Sequence, residues 1–188
     1  MTGISAVLAD QAVDESAVLD LAAVLEGLVG GHFEVILVCA NEPPEVAGLR
    51  ARAPRLPLRV VFGRDVADGC DAAQYELIFV AAGDGQFDVR ELNHLLDAVE
   101  LGADVAVGYR PRRMDGLVRR FQRWGLKMPV DCAFALVRRE ACQQVQRASA
   151  AVCCANLLAT VRRHGFRVAE VPVSHRRPQM GVPVTTAA

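Results

Sequence analysis

Short runs of apolar residues alternate along the chain with longer stretches of helical periodicity. The apolar runs predict strands over residues 4–8, 33–39, 58–62, 77–80, 104–109, 131–139 and 166–173. The periodic stretches predict helices over residues 14–29, 45–52, 88–99 and 149–164. We expect residues 63–74 to be a plain connection between two strands. This succession of strands and helices is typical of an α/β domain.

The most informative stretch runs from Glu76 to Asp88. Its strand contains no polar residue, which suits burial on both faces, and it ends at the turn Gly83-Asp84-Gly85. A helix is expected to follow, because Asp88 is placed to cap it and Glu91 stands at the capping-box spacing. The turn therefore brings Asp84 to the carboxyl end of a buried strand, where ligands bind in open α/β sheets.

Composition and charge narrow the class of protein. The chain has 188 residues and a net charge of −1, so we expect one domain with a real core and no general attraction to nucleic acid. Its six cysteines form no Cys-x-x-Cys pair, which speaks against structural zinc and favours reduced, mostly buried thiols. Residues 4–8 are too few for a signal peptide or membrane span, so we expect a cytoplasmic protein without a transmembrane segment.

Residues 79–88, Phe-Val-Ala-Ala-Gly-Asp-Gly-Gln-Phe-Asp, resemble the Asp-x-Asp-Gly-Gln-Phe-Asp segment of family 2 glycosyltransferases of the polyprenyl-phosphate (dolichol-phosphate) mannosyltransferase type. Residues 129–139 and 174–177 resemble two further segments of that family, and the resemblance extends over residues 4–177. It implies a GT-A-like (Rossmann-like) fold, with a mostly parallel sheet covered by helices on both faces. It also implies a single domain over residues 1–177, followed by a flexible tail over residues 178–188.

The resemblance also implies which residues form the catalytic and metal sites. In the family, the acids and the amide of the first segment approach a divalent metal and the sugar diphosphate. Asp84 and Gln86 occupy matching positions here and are the candidate ligands of Mg²⁺ or Mn²⁺. One carboxylate and one amide hold such a cation weakly, and a protein without a metal is the alternative. The candidate catalytic residues are Asp84, Asp131 and His175.

Arginines that follow the strand over residues 104–109 hold diphosphate or lipid phosphate in the family. Arg110 matches that position, and Arg113 and Arg177 are further candidates because guanidinium groups suit phosphate oxygens. The alternatives for this arginine-rich segment are a solvated surface and an interfacial or partner-binding helix. Asn41 either hydrogen-bonds a nucleotide base or is a turn residue before Pro43.

Several positions depart from the family pattern. The residues that would bind nucleotide, complete the metal site or act on the acceptor are replaced by Ala12, Cys39, Ala40, Ala82, Pro129 and Asn156. These losses weaken the stabilisation of a departing diphosphate, and a proline cannot act as a general base.

Three functions therefore remain open. The first is a divergent glycosyltransferase-like protein with weakened or lost nucleotide-sugar transfer. The second is a pseudoenzyme that binds a partner protein or regulates a true transferase. The third is a GT-A fold adapted to small-molecule biosynthetic chemistry in an apolar cleft, lined by Ala9, Cys39, Ala40, Ala82 and Pro129.

Overall fold

The computed structural model describes residues 2–9, 13–63, 65–81, 87–109, 134–148 and 161–174. The described strands are β1 (Ile4–Ala9), β2 (Phe33–Cys39), β3 (Leu58–Phe62), β4 (Leu77–Ala81), β5 (Val105–Tyr109), β6 (Phe134–Arg138) and β7 (Val168–Pro172). The described helices are α1 (Glu15–Val29), α2 (Glu45–Arg52), α3 (Val66–Ala72), α4 (Leu92–Glu100) and α5 (Arg139–Ala148), and a 3₁₀ turn (Val89–Glu91) precedes α4.

The strands form one seven-stranded sheet in the order β3-β2-β1-β4-β6-β5-β7. All neighbouring pairs are parallel except those of β6, which runs antiparallel to both β4 and β5. The chain extends the sheet from β1 through β2 to β3 on one side, and β4 begins the other side. The mostly parallel sheet expected from the sequence is thus confirmed, and its order reverses between β1 and β4.

Helices cover both faces of this sheet. One apolar cluster joins α1, α2 and α4 to one face, through Leu21, Leu49 and Leu95 among others. A second cluster on the opposite face contains Cys70 of α3 and Cys142 of α5. Strand β4 contributes Phe79 to the first cluster and Ile78 to the second, so it is buried on both faces as expected.

Helix α3 lies where a plain connection was expected, and that prediction was wrong. Asp65 caps the helix by accepting from Ala67 N–H at 2.8 Å within a capping box. Gly69 lets the helix approach the sheet closely, because a Cβ there would lie 2.4 Å from Val7 Cγ1 and 2.6 Å from Val38 Cγ2. Seven residues give too little periodicity for a sequence pattern to reveal such a helix.

Other boundaries differ by a few residues. Strand β7 begins at Val168 because Phe166 N–H donates to Val161 O at 3.0 Å and Arg167 N–H donates to Asp104 Oδ2 at 2.8 Å. Asp88 caps a 3₁₀ turn rather than the α-helix itself, accepting from Arg90 N–H at 3.1 Å. Residues 149–160 of the predicted last helix lie outside the described residues, and residues 161–163 are helical.

The polar residue Glu34 interrupts the apolar run of β2 and is buried near the amino-terminal edge of the sheet. Ser5 Oγ and Gln74 N–H both donate to its Oε1 at 2.7 Å. Arg59 Nη1 donates to its Oε2 at 2.9 Å. Every partner is on a different segment, so the carboxylate ties β1, β2, β3 and the start of β4 together, and its burial is compensated by these bonds.

Candidate functional site

The carboxyl ends of six strands lie at one edge of the sheet. The residues that end these strands are Ala9, Cys39, Phe62, Ala81, Tyr109 and Pro172, and the antiparallel β6 begins at the same edge with Phe134. The strand order reverses between β1 and β4, and the carboxyl edge at such a reversal is the usual ligand position in open α/β sheets. Residues 82–86, with Asp84 and Gln86, directly follow β4 in the chain.

Both flanks of residues 82–86 are fixed in the core. Ala81 pairs with Phe134 in the antiparallel register of β4 and β6. The Phe87 ring stacks on the Phe134 ring with 5.2 Å between centroids, and Phe79 meets Phe134 edge to face at 5.1 Å. Phe134 follows Asp131 by three residues, so this aromatic contact brings the flanks of two predicted site segments together.

The ends of β5 and β7 also meet at this edge. Val173 N–H donates to Tyr109 O at 2.9 Å. A Cβ at Gly108 would lie 2.8 Å from Val173 Cγ2 and 3.2 Å from Phe134 Cδ1, so only a glycine permits this approach. Tyr109, which precedes Arg110, and Val173, which lies two residues before His175, are therefore neighbours.

A carboxylate joins the end of β7 to the turn before α4. Ser174 N–H donates to Glu91 Oε2 at 2.6 Å. Sequence reasoning assigned Glu91 to a capping box and missed this contact, which joins residues far apart in the chain. No local pattern reveals it, since the spacing of Glu91 from Asp88 already has a sufficient explanation within the helix start.

Most of the predicted site residues lie outside the described residues. These are Asp84, Gln86, Arg110, Arg113, Asp131, His175 and Arg177. The structure does bring together the residues that precede or follow each of them, namely Ala81, Phe87, Tyr109, Phe134 and Ser174. Within the described parts of the chain, no group of three or more His, Cys, Asp or Glu side chains is arranged to hold a metal. The roles assigned to these seven residues stay predictions.

The described residues at the ends of β1, β2 and β3 include few polar side chains. Asn41, the predicted nucleotide contact, is exposed in a bend after β2. The Glu42 carboxylate accepts from Arg50 Nη1 at 2.8 Å. Phe62 ends β3 with 68% of its surface exposed, and Cys39 beside it is buried. Burial, and secondarily the Glu42 charge, raise the pKa of the Cys39 thiol, so this thiol is a poor nucleophile at neutral pH.

Solved structures similar to this chain share its architecture. Glucosyl-3-phosphoglycerate synthase from Mycobacterium tuberculosis, in complex with Mn²⁺, UDP and glucosyl-3-phosphoglycerate, matches with a TM-score of 0.62 and 13% identity over 94% of this chain and 72% of that chain. The same enzyme with Mn²⁺, UDP-glucose and glycerol 3-phosphate gives a TM-score of 0.62 and 16% identity over 94% and 73%. A 4-diphosphocytidyl-2C-methyl-D-erythritol synthase from Anaerococcus prevotii gives a TM-score of 0.66 and 13% identity over 92% of this chain and 90% of that chain.

The fold is GT-A. At these identities the likeness shows the fold alone, which is the fold that the sequence resemblance implied. The neighbours are a glycosyltransferase and a nucleotidyltransferase, and the mannosyltransferase type in particular is not among the matches described above. No protein-family profile and no curated protein sequence matches the chain. Among the described helices none is long and apolar enough to cross a membrane.

Proposed function

We propose that this chain is a divergent family 2 glycosyltransferase-like protein that binds a nucleotide-linked sugar diphosphate and whose transfer activity is weakened or lost. The observation that carries the proposal is a set of pairwise contacts at the carboxyl edge of the sheet, where Ala81 and Phe87 contact Phe134 and the Tyr109 carbonyl accepts from Val173 N–H. Each of these residues flanks a segment that carries a predicted site residue. These contacts support a shared binding site for the segments, because binding by positioned groups requires several segments to converge on one ligand.

The charges on these segments suit a diphosphate. Arg110, Arg113 and Arg177 supply guanidinium groups, and His175 supplies an imidazole, all on segments whose flanks meet. The M. tuberculosis neighbour binds UDP with Mn²⁺ or Mg²⁺ in its solved complexes. In this chain Asp84 and Gln86 offer one carboxylate and one amide oxygen, a donor set that fits Mg²⁺ or Mn²⁺ only when the diphosphate and water supply most of the ligands. We expect metal and diphosphate to bind together.

Transfer is expected to be weak because groups that assist it are missing. Pro129 stands where the family has an acid near the acceptor, and Ala82 stands in place of one metal-binding acid. A metal would neutralise charge on the departing diphosphate, and a poorly held metal does so less effectively. Binding without fast turnover is the expected behaviour.

Isothermal titration tests the proposal with UDP, GDP, UDP-glucose and GDP-mannose, each with and without MnCl₂. We expect binding by at least one of these ligands, tighter with Mn²⁺, and weakened about tenfold by Arg110→Ala. The matched control is Arg163→Ala, which removes an exposed arginine from the last helical turn of residues 161–163. Absence of heat with every ligand, or equal weakening by both substitutions, would contradict the proposal.

The pseudoenzyme alternative makes a separate prediction. A protein partner would be recovered with the wild-type chain and equally with Asp84→Ala, because its surface would not require the metal-binding side chain. Loss of the partner in the variant would count against a purely scaffolding role and support a ligand-dependent one.

Adaptation of the cleft to apolar small molecules is favoured by one feature of the β1–β3 half. Phe62 is largely exposed at the edge, beside buried Cys39, and the nearby Glu42 carboxylate is paired with Arg50. Such a surface suits an apolar ligand better than a nucleoside. A thermal-shift screen with aromatic and aliphatic carboxylic acids tests it: stabilisation lost in Phe62→Ser supports this candidate, and stabilisation by nucleotides alone excludes it.

A further inference from the structure

Two of the buried cysteines are in direct contact. Cys70 lies in the last turn of α3 and Cys142 in the first turn of α5, and their thiols are hydrogen-bonded to each other. Only 5% of Cys70 and 3% of Cys142 is exposed. Both belong to the apolar cluster on the face of the sheet opposite α1, and both are free thiols.

Backbone contacts on both sides hold this pair in place. Arg139 N–H donates to Glu76 O at 2.8 Å, and Arg139 Nε donates to Tyr75 O at 3.0 Å. These bonds attach the beginning of α5 to the connection that follows α3. The close approach of α3 at Gly69 fixes the other partner against β1 and β2. The fixed positions of the two helices therefore hold the two side chains against each other within one apolar cluster.

We propose that Cys70 and Cys142 are a redox modification site, at which a small hydroperoxide converts the two thiols into a reversible disulfide between α3 and α5. This site is separate from the carboxyl-edge site and does not depend on the function proposed for it. Its burial restricts access to small oxidants.

The chemistry assigns different roles to the two sulfurs. The Cys142 thiolate attacks one peroxide oxygen, the O–O bond breaks, and a sulfenic acid forms on Cys142 while the other oxygen leaves as an alcohol or water. The Cys70 sulfur then attacks the Cys142 sulfur, the S–O bond breaks, and hydroxide leaves as water with the Cys70 proton. The two sulfurs together give two electrons to the peroxide, and a dithiol reductant reverses the step.

The electrostatics agree with this order. The hydrogen bond from Cys70 lowers the pKa of Cys142, with Arg139 acting in the same direction, while burial and Asp71 act against it. The same hydrogen bond raises the pKa of Cys70, and burial and the nearby aspartates reinforce the effect. The hydrogen bond between the thiols therefore favours a thiolate at one sulfur of the pair, which the proposal assigns to Cys142, while Cys70 remains a thiol until the sulfenic acid forms.

Peptide mapping of the full-length chain tests the proposal directly. The folded protein is treated with hydrogen peroxide, denatured, alkylated with iodoacetamide and digested without reductant. We expect a cross-linked peptide pair joining Cys70 to Cys142, absent from the untreated sample and removed by dithiothreitol. A disulfide that closes a loop of roughly 70 residues also restricts the unfolded chain, so the oxidised protein should melt on the order of 10 °C higher.

Variants separate this site from other cysteine chemistry. Cys70→Ala and Cys142→Ala should each abolish both the cross-link and the rise in melting temperature. The matched control Cys39→Ala removes another buried thiol, at the carboxyl end of β2, and should leave both unchanged. Full alkylation of Cys70 and Cys142 after peroxide treatment of the wild type would overturn the proposal. So would cross-links joining Cys70 or Cys142 mainly to other cysteines.

Discussion

The two halves of the sheet's carboxyl edge are built differently. At the ends of β4, β5, β6 and β7, aromatic packing, a backbone bond from Val173 to Tyr109 and the Glu91–Ser174 bond connect one strand end to the next. At the ends of β1, β2 and β3, the described residues include an exposed Phe62, a buried Cys39 and an exposed Asn41.

The two halves therefore differ in how strongly their strand ends are connected to one another. The β4–β7 half is connected across strands and leads into the segments that resemble the glycosyltransferase family. The β1–β3 half has its polar interactions at the opposite edge, around Glu34, where they stabilise the sheet. Under the proposed function, we expect the chain to retain affinity for phosphate more readily than specificity for a base.

The largest effect is expected from removing the aromatic centre of the β4–β7 half. Phe134→Ala deletes a fully buried ring that contacts Phe79 and Phe87, and should lower the free energy of unfolding by about 3–5 kcal/mol. Phe62→Ala, the control in the other half, should change it by less than about 0.5 kcal/mol because that ring is mostly exposed. Urea denaturation measures the unfolding free energy of both variants. Similar losses in the two variants would contradict the difference between the two halves of the edge.

The next effect compares the two ends of β2. Glu34→Ala removes the buried acceptor of the Ser5 hydroxyl and leaves the Gln74 N–H only its longer bond to Ser5 Oγ at 3.1 Å. It should cost about 2–3 kcal/mol, a value kept low because Arg59 is partly exposed. Glu42→Ala breaks an exposed ion pair with Arg50 and should cost less than about 1 kcal/mol. Urea denaturation measures both losses. A larger loss of unfolding free energy for Glu42→Ala than for Glu34→Ala would show that the carboxyl end of β2 is the more strongly held.

A smaller effect tests the bond between β7 and the turn before α4. Glu91→Ala removes the acceptor of Ser174 N–H, a loss of about 1 kcal/mol that should speed hydrogen exchange at the Ser174 amide by about fivefold. Glu100→Ala, at the exposed end of α4, is the matched control and should leave that amide unchanged. Hydrogen exchange measured by NMR distinguishes the two variants. Unchanged protection of the Ser174 amide in Glu91→Ala would mean that other contacts hold the end of β7.

The smallest effect is a pH dependence at Cys39. Because burial raises the pKa of this thiol, the folded protein keeps a proton that the unfolded chain releases. The resulting stability is present below the ordinary thiol pKa of about 8.5 and is lost as pH rises toward the folded value. Between about pH 8 and pH 10, the free energy of unfolding should therefore fall less for Cys39→Ala than for the wild type. The two decreases should differ by about 1 kcal/mol at most. Urea denaturation at several pH values measures both decreases. Equal decreases for the wild type and Cys39→Ala would show that the thiol is solvated in the folded protein.

The sequence by itself determined the strands and the helices α1, α2 and α4, whereas it predicted neither α3 nor α5. Apolar runs such as that of β4 and turns such as Gly83-Asp84-Gly85 act over a few residues, so periodicity and local backbone preference reveal them directly. The motif resemblance supplied the GT-A fold, which the described sheet and the similar structures confirm. It also supplied the site residues, whose positions stay predictions.

Only the tertiary structure decided how distant segments meet. The insertion of antiparallel β6 between β4 and β5, the Glu91–Ser174 bond and the Cys70–Cys142 contact each join residues widely separated in the chain. Helix α3 depends on the same kind of information, since a short helix is stable mainly through its packing against the sheet. Local patterns record a residue's own backbone preference, whereas these contacts arise when separate hydrophobic faces are buried together, and no single stretch of sequence specifies them.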